Sequence, residues 1–224
     1  MVARDDSETV GAFSITTVVV APPWYENCYL VKHLPTGNQL VIDPGGDAEE
    51  ILTAIEANGG GATEILLTHG HPDHLGAAHE IQVALGIGCR AHQEERPIID
   101  GVANWAGALM QRRIRGPEPI TYYAGEPLLD FEGFGARVLF TPGHTPGGVC
   151  YLFDGFAFTG DTLFNQGVGR TDLPGGDGRT LSGSITRLLK ELEPRTRLYS
   201  GHGPAWSAAE ARPWWERAAS YGYF

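Results

Sequence analysis

Residues 68–74 read Thr68-His69-Gly70-His71-Pro72-Asp73-His74 and follow directly on the apolar stretch Ile65-Leu66-Leu67. Four side chains able to bind a metal fall within six consecutive residues. Imidazole nitrogen and carboxylate oxygen are donors that zinc, iron and manganese accept. His69 and His71 are alternate residues of a loop and can converge on one cation. Asp73 and His74 then project elsewhere and suit a second.

Three more candidates lie downstream. His144 sits in Thr141-Pro142-Gly143-His144-Thr145-Pro146-Gly147, after an apolar run ending at Phe140. Asp161 sits in Thr159-Gly160-Asp161-Thr162, and His202 in Ser200-Gly201-His202-Gly203-Pro204. Each follows an expected strand and has glycine beside it. Strand ends mount side chains rigidly, and glycine lets backbone approach closely. Loops leaving one edge of a sandwich can aim all these groups at one cleft. His33, His79 and His92 lack such partners and read as ordinary surface or core histidines.

Around these loops, strands are expected at 13–20, 27–31, 39–42, 63–67, 87–91, 136–140, 149–153, 157–159 and 197–199, from β-branched and apolar runs. Asp47 can cap a helix through Ile51, Leu52 and Ile55 that Gly59-Gly60-Gly61 stops. Further helices are expected at 74–85, at 180–192, and at 207–224 with an interruption at Pro213. The segment 93–119 reads as less regular, and its basic cluster Arg112, Arg113 and Arg115 reads as a solvated face. Trp105, Tyr122 and Tyr123 read as core packing. Strands and helices alternate, yet hairpin-like strand pairs also occur. That mixture predicts an α/β sandwich rather than a purely parallel sheet.

The chain has 224 residues, 42% of them hydrophobic, enough for a sizeable core. Its formal net charge of −11 argues against non-specific binding to nucleic acid or to an anionic membrane. An anionic substrate stays compatible, because a bound dication dominates its local field. Cys28, Cys89 and Cys150 are widely spaced and odd in number, which reads as buried reduced thiols rather than a disulfide framework. Met1–Glu8 carries charges and no apolar core of a secretory leader. No apolar run reaches bilayer length. The expectation is one cytoplasmic domain over 1–224, with 1–10 flexible and 205–224 a C-terminal tail. The sequence carries no signal for an oligomeric state.

The ordered set His-x-His-x-Asp-His, then His144, Asp161 and His202, resembles the metallo-β-lactamase-fold hydrolase superfamily over about residues 13–204. The resemblance implies a four-layer αββα sandwich with the metal site at one edge. Carried over position by position, it implies that His69, His71 and His144 hold a first metal. Asp73, His74 and His202 would hold a second, and Asp161 would bridge both. Asp43, in Val41-Ile42-Asp43-Pro44-Gly45, matches the family's acidic residue behind the ligand loop, fixing a histidine tautomer or the loop itself. The phrases VIDPGGD (41–47), LTHGHPDH (67–74), PGHTPG (142–147) and GVGRTDLPGGD (167–177) resemble the glyoxalase II group in its short form. Better-known members hold glutathione with a lysine and a tyrosine after the bridging Asp. Here Arg170 falls near that lysine and Asp172 where the tyrosine would be. Only 22 residues follow His202, too few for the C-terminal helical domain of the longer members.

The activity so implied is hydrolysis of a thioester, S-lactoylglutathione or a related hydroxyacyl thioester, on two divalent ions, zinc first and iron or manganese next. Two cations about 3.5–4 Å apart would share a water and lower its pKa toward neutrality, so that hydroxide attacks. Asp73 and Asp161 are the catalytic carboxylates of this reading. Arg170 has two readings, an anchor for a substrate carboxylate and a structural partner of Asp172 or Asp177. The rivals are a mono-iron persulfide dioxygenase, using His69, His144 and Asp161, and a lactonase or weak β-lactamase on the same fold.

Overall fold

Phe13–Val20 alternates at a period of two, and the alternation switches face between Ile15 and Val18. Phe13 and Ile15 point to one side of their strand, Val18 and Val20 to the other, and all four are buried. A strand buried on both faces requires a layer above and a layer below it. The computed structural model, which describes residues 7–110 and 113–220, supplies both layers.

The first sheet holds β1 (Ser7–Val10), β2 (Phe13–Val20), β3 (Glu26–His33), β4 (Gln39–Ile42), β5 (Ala62–Leu66), β6 (Gly88–His92) and β7 (Thr121–Tyr123), side by side in chain order. Its pairings are antiparallel as far as β4 and parallel from β4 to β7. The second holds β8 (Leu128–Phe131), β9 (Phe134–Phe140), β10 (Val149–Phe153), β11 (Phe156–Gly160), β12 (Arg197–Ser200) and β13 (Trp206–Ser207), in the order β13-β12-β11-β10-β9-β8. Phe13, Ile15, Tyr29, Val31, Leu40 and Ile42 pack between the sheets against Val138, Tyr151, Phe156 and Phe158. Val18, Val20, Leu30 and Val41 face α1 (Ala48–Ala57), α3 (Ala78–Leu85) and α4 (Arg96–Met110). The second sheet's outer face carries α5 (Gly178–Glu191) and α6 (Ala208–Ser220) through Leu181, Ile185, Leu188, Ala211 and Trp215. The architecture is the αββα sandwich.

Several expectations change. Ser7–Val10, placed in the flexible 1–10 stretch, is an edge strand paired with β2, and Glu8 there accepts the Tyr199 hydroxyl at 2.9 Å. Residues 1–6 lie outside the described residues. The helix expected at 74–85 is broken into α2 (Pro72–Leu75) and α3. At the break the Ala77 amide leaves the helix ladder for the Pro44 carbonyl, 2.9 Å away. A Cβ on Gly76 would stand 2.4 Å from the Gly45 carbonyl oxygen, so the two loops touch there. Residues 93–119, expected to be irregular, hold the fifteen-residue α4, whose Ile99, Val102 and Ala106 bury at helical spacing. Asp47 occupies the N-cap of α1, but its carboxylate accepts the Ala21 amide (2.9 Å) instead of a helix amide. Helix α6 runs through Pro213 without interruption, pinned around it by buried Ala211 and Trp215. Arg113 and Arg115 are exposed, as expected of a solvated face. Arg112, Tyr221, Tyr223 and Phe224, and the side chains of Trp105 and Met110, lie outside the described residues. Among the described residues no helix is long and apolar enough to cross a membrane.

Phe156 is fully buried between the sheets and meets the rings of Phe13 and Phe153 at 5.2 and 4.7 Å. Replacing it with alanine leaves a cavity that both sheets would have to close. Phe156→Ala is expected to cost about 3–5 kcal/mol, read as a lowered midpoint with an unchanged slope in urea unfolding.

Candidate metal centre

Each candidate donor is carried by the loop after a strand, on the edge where β4, β5, β9, β11 and β12 end. The loop after β5 bears His69, His71, Asp73 and His74. The loop after β9 bears His144, and the ends of β11 and β12 bear Asp161 and His202. The sheets are tied at this edge by direct bonds. The Val149 amide of β10 donates to the Thr68 carbonyl (3.0 Å), and the Tyr151 hydroxyl to the Leu67 carbonyl (2.7 Å). Gly201 is required where it stands, since a Cβ there would lie 2.4 Å from Asp161 Oδ1 and 2.5 Å from His74 Cε1.

All seven side chains come together. His69, His71 and His144 place one donor atom each within 4.8 Å of one another, and Asp73, His74 and His202 do the same. Asp161 lies between the two trios. Its Oδ1 is 3.2 Å from His74 Nε2, and its Oδ2 is 3.5 Å from His144 Nε2 and 3.7 Å from His202 Nε2. His69 Nε2, His74 Nε2 and Asp161 Oδ1 are buried without a hydrogen-bond partner. Buried polar atoms are almost always satisfied. Lone pairs left facing a shared space fit the donor set of bound cations.

The tautomers are set from behind. Asp43 Oδ1 accepts the Thr68 amide (2.7 Å), and Oδ2 accepts the Thr68 hydroxyl (2.5 Å) and faces His74 Nδ1 (3.0 Å). The same hydroxyl lies 3.1 Å from His69 Nδ1. One carboxylate thus orients a histidine of each trio and leaves both Nε2 atoms for ligation. Asp43 itself falls within 4.8 Å of His69 and His74 donors. With both its oxygens engaged by Thr68, it acts as an orienting group. His144 gives its Nδ1 proton to the Arg170 carbonyl (2.7 Å), and His202 Nδ1 faces the Trp24 carbonyl (3.2 Å).

Two residues escaped the sequence reading. Glu95 is 1% exposed and accepts the Gly70 amide through Oε2 and the Gly147 amide through Oε1, both at 2.7 Å. It therefore clamps the loop of His69 and His71 to the loop of His144. In sequence it stands in Gln93-Glu94-Glu95-Arg96, which looks like a solvated turn. Glu26 is fully buried, with neither oxygen hydrogen-bonded and Oε1 3.8 Å from His74 Nδ1. Nothing separates it in sequence from a charged residue at an exposed strand start. Of the histidines read as ordinary, His33 meets Thr36 Oγ1 (2.9 Å) and His92 stacks on Phe140 (4.6 Å). Arg170 pairs in parallel with Asp172, Nε to Oδ1 at 2.7 Å and Nη2 to Oδ2 at 2.8 Å, so its structural reading is realised.

A model of the metallo-beta-lactamase superfamily matches residues 21–202. The chain belongs to this superfamily. The probable metallo-hydrolase YqgX of Bacillus subtilis is 38% identical over 168 residues, covering 74% of this chain and 80% of that protein. The hydroxyacylglutathione hydrolase GloC of Haemophilus influenzae is 33% identical over 190 residues, covering 83% and 89%. Among solved structures, BLEG-1 B3 metallo-beta-lactamase superposes with TM-score 0.81 at 33% identity, covering 89% of this chain and 96% of that one. TTHA1623 in a di-iron-bound form superposes with TM-score 0.77 at 35% identity, covering 88% and 96%. Fold, donors and relatives together make the chain a metallo-hydrolase of that superfamily.

The two trios of this superfamily member differ electrostatically. Burial holds the His69 imidazole well below its ordinary pKa, and the neighbouring histidines push further in the same direction. Burial also brings His71 down to about 3 and lowers His144. Burial opposes charge on His74 as well, but Asp161, Asp43 and Asp73 outweigh it and raise its pKa. In His202 Asp73 and Asp161 likewise overcome burial and raise it. Burial would raise the Asp161 carboxyl, yet His74, His144 and His202 hold it well below the carboxylate range. A histidine must be neutral to ligate. The first trio is already neutral at pH 7 and binds without releasing protons. The second must lose protons that His74 and His202 hold more tightly than a free imidazole. Loading of the second ion is therefore expected to weaken steeply from pH 8 to pH 6, and loading of the first far less. Calorimetric zinc titrations in buffers of different ionisation enthalpy read both steps.

Asp43→Asn keeps shape but puts an amide where Thr68 and His74 need an acceptor. It is expected to weaken both ions about 10–100-fold, measured by competition with a chromophoric chelator.

Proposed function

We propose that the chain hydrolyses thioesters of the hydroxyacyl type, S-lactoylglutathione among them, with two divalent ions at the strand-end site. The carrying observation is the convergence of seven donors into two trios with Asp161 between them. His69, His71 and His144 would hold one ion, and Asp73, His74 and His202 the other, with Asp161 facing both. Zinc is the first candidate, and the same donors accept iron or manganese. When bound, such ions supply Lewis acidity and an acidified water, so that no serine or cysteine nucleophile is needed.

The chain's own residues contribute orientation and shape. Asp43 and Thr68 fix His69 and His74, Glu95 joins the two ligand loops, and the Arg170 carbonyl fixes His144. In front lies an open cleft of about 340 Å³, reached past Trp24 and Phe164, where the scissile carbonyl would sit. In the reaction the acyl carbon–sulfur bond breaks and a carbon–oxygen bond to water forms. One water proton goes to the departing sulfur or to solvent, giving a carboxylic acid and a thiol. A thiol of pKa about 8.5 departs as thiolate without prior protonation, whereas an amine does not. Asp73 agrees with this. Burial would raise its carboxyl, but His202 and His74 lower it, so it stands ionised and is a poor acid for an amine. The likeness to GloC, named a hydroxyacylglutathione hydrolase, supports a thioester substrate.

The test is one metal-counted preparation offered S-lactoylglutathione, a persulfide, a lactone and a cephalosporin. The expected outcome is two ions per chain and thioester turnover at least a hundredfold above the other substrates. Asp161→Ala is expected to lower that turnover by three orders of magnitude or more, or ~4 kcal/mol of barrier. One iron per chain with oxygen uptake on persulfide would replace this reading by the dioxygenase one.

A further inference from the structure

The cleft has two unlike halves. Its floor is the ligand set, and its remaining walls are Trp24, Pro72, Phe164, Val168, Leu173 and Arg170. Phe164 stands edge-on to His202 with ring centroids 5.6 Å apart. A two-bond turn, Phe164 amide to Gly167 carbonyl (2.8 Å) and the reverse (3.3 Å), holds Phe164 and Val168 on one wall. Trp24, 37% exposed, also lines the cleft, and its carbonyl faces His202 Nδ1. The Phe164 ring and the Trp24 backbone are thus tied to His202 of the site.

Arg170 is the only arginine or lysine among the described residues lining the cleft, and its Nε and Nη2 edge is on Asp172. A substrate carboxylate reaching the Nε–Nη2 edge of Arg170 would have to displace Asp172. That exchange replaces one carboxylate with another and leaves Asp172 facing the newcomer, so little is gained. A lactoyl group is small. The arm that fills a cleft of about 340 Å³ is the longer one, on the thiol side. Glutathione brings two carboxylates and one ammonium to walls whose arginine already pairs with Asp172.

We propose, resting on the thioesterase reading above, that the cleft selects thioesters whose thiol arm is uncharged and apolar, with Trp24 and Phe164 as the specificity-determining side chains. Apolar contact accounts for the selection, and each methylene taken from water favours binding by about three- to fourfold.

The experiment keeps the lactoyl group constant and varies the thiol: glutathione, pantetheine and hexanethiol, assayed on the metal-loaded enzyme. The expected order of kcat/KM is hexanethiol, then pantetheine, then glutathione, with at least tenfold between the first and last. Uncleavable thioether analogues of each should bind in the same order by calorimetry. Trp24→Ala and Phe164→Ala should each raise KM for the hexanethiol ester about tenfold and shift the glutathione ester far less. Asp172→Asn, which frees Arg170, should raise the glutathione-to-hexanethiol ratio severalfold. A glutathione ester preferred tenfold, and losing that preference in Arg170→Gln, overturns the proposal while leaving the thioesterase reading intact. No turnover of any of the three esters, with both ions present, removes the thioesterase reading and this proposal together.

Discussion

The buried carboxylate of Asp43 is the group on which the site's order depends. It accepts the backbone and hydroxyl of Thr68 and faces His74, while the same hydroxyl faces His69. Histidine has two ring nitrogens, and only a fixed hydrogen bond at one of them decides which lone pair points into the site. Because one carboxylate serves a histidine of each trio, the two metal positions are not independent constructions. Asp43 lies at the end of β4 at a φ of 49°, a left-handed conformation that an aspartate adopts at a cost. The two parallel strands β4 and β5 hold it there beside the ligand loop.

The second constraint is charge. Asp161, Asp43 and Asp73 crowd the side of His74, and they raise its pKa against the effect of burial. Around His69, His71 and His144 burial dominates, and the imidazoles stay neutral. The site is thus divided into a neutral trio and an acid-rich one that share Asp161. Cations would satisfy the orphaned Nε2 and Oδ1 atoms and balance the excess negative charge at once. Glu26, unpartnered behind His74, is pushed toward its neutral form, because burial raises its carboxyl well above the ordinary range.

Much of the site was legible because its chemistry is local. His69, His71, Asp73 and His74 announce themselves by spacing, and His144, Asp161 and His202 by glycine-flanked positions after apolar runs. The fold was legible in outline for a similar reason. Strands alternating with helices, together with hairpin-like strand pairs, predicted an α/β sandwich. Helix α4 was not, because Ile99, Val102 and Ala106 are diluted by glycine, alanine and proline, and its order comes from packing on the first sheet. The break between α2 and α3 was not, because its cause is the Pro44–Gly45 loop, distant in sequence.

The sequence by itself determined which atoms are available as ligands and the mixed α/β character of the fold, while its four αββα layers were implied only by the family resemblance. The ligand atoms and the mixed character follow from side-chain chemistry and from periodicity, which are properties of neighbours along the chain. The tertiary structure alone decided that Glu95 is a clamp rather than a surface turn residue, and that Glu26 lies buried behind His74. Each is set by groups brought in from another element or loop. The energy of a charged side chain depends on its desolvation and on the charges around it, and neither is fixed until the sheets have closed.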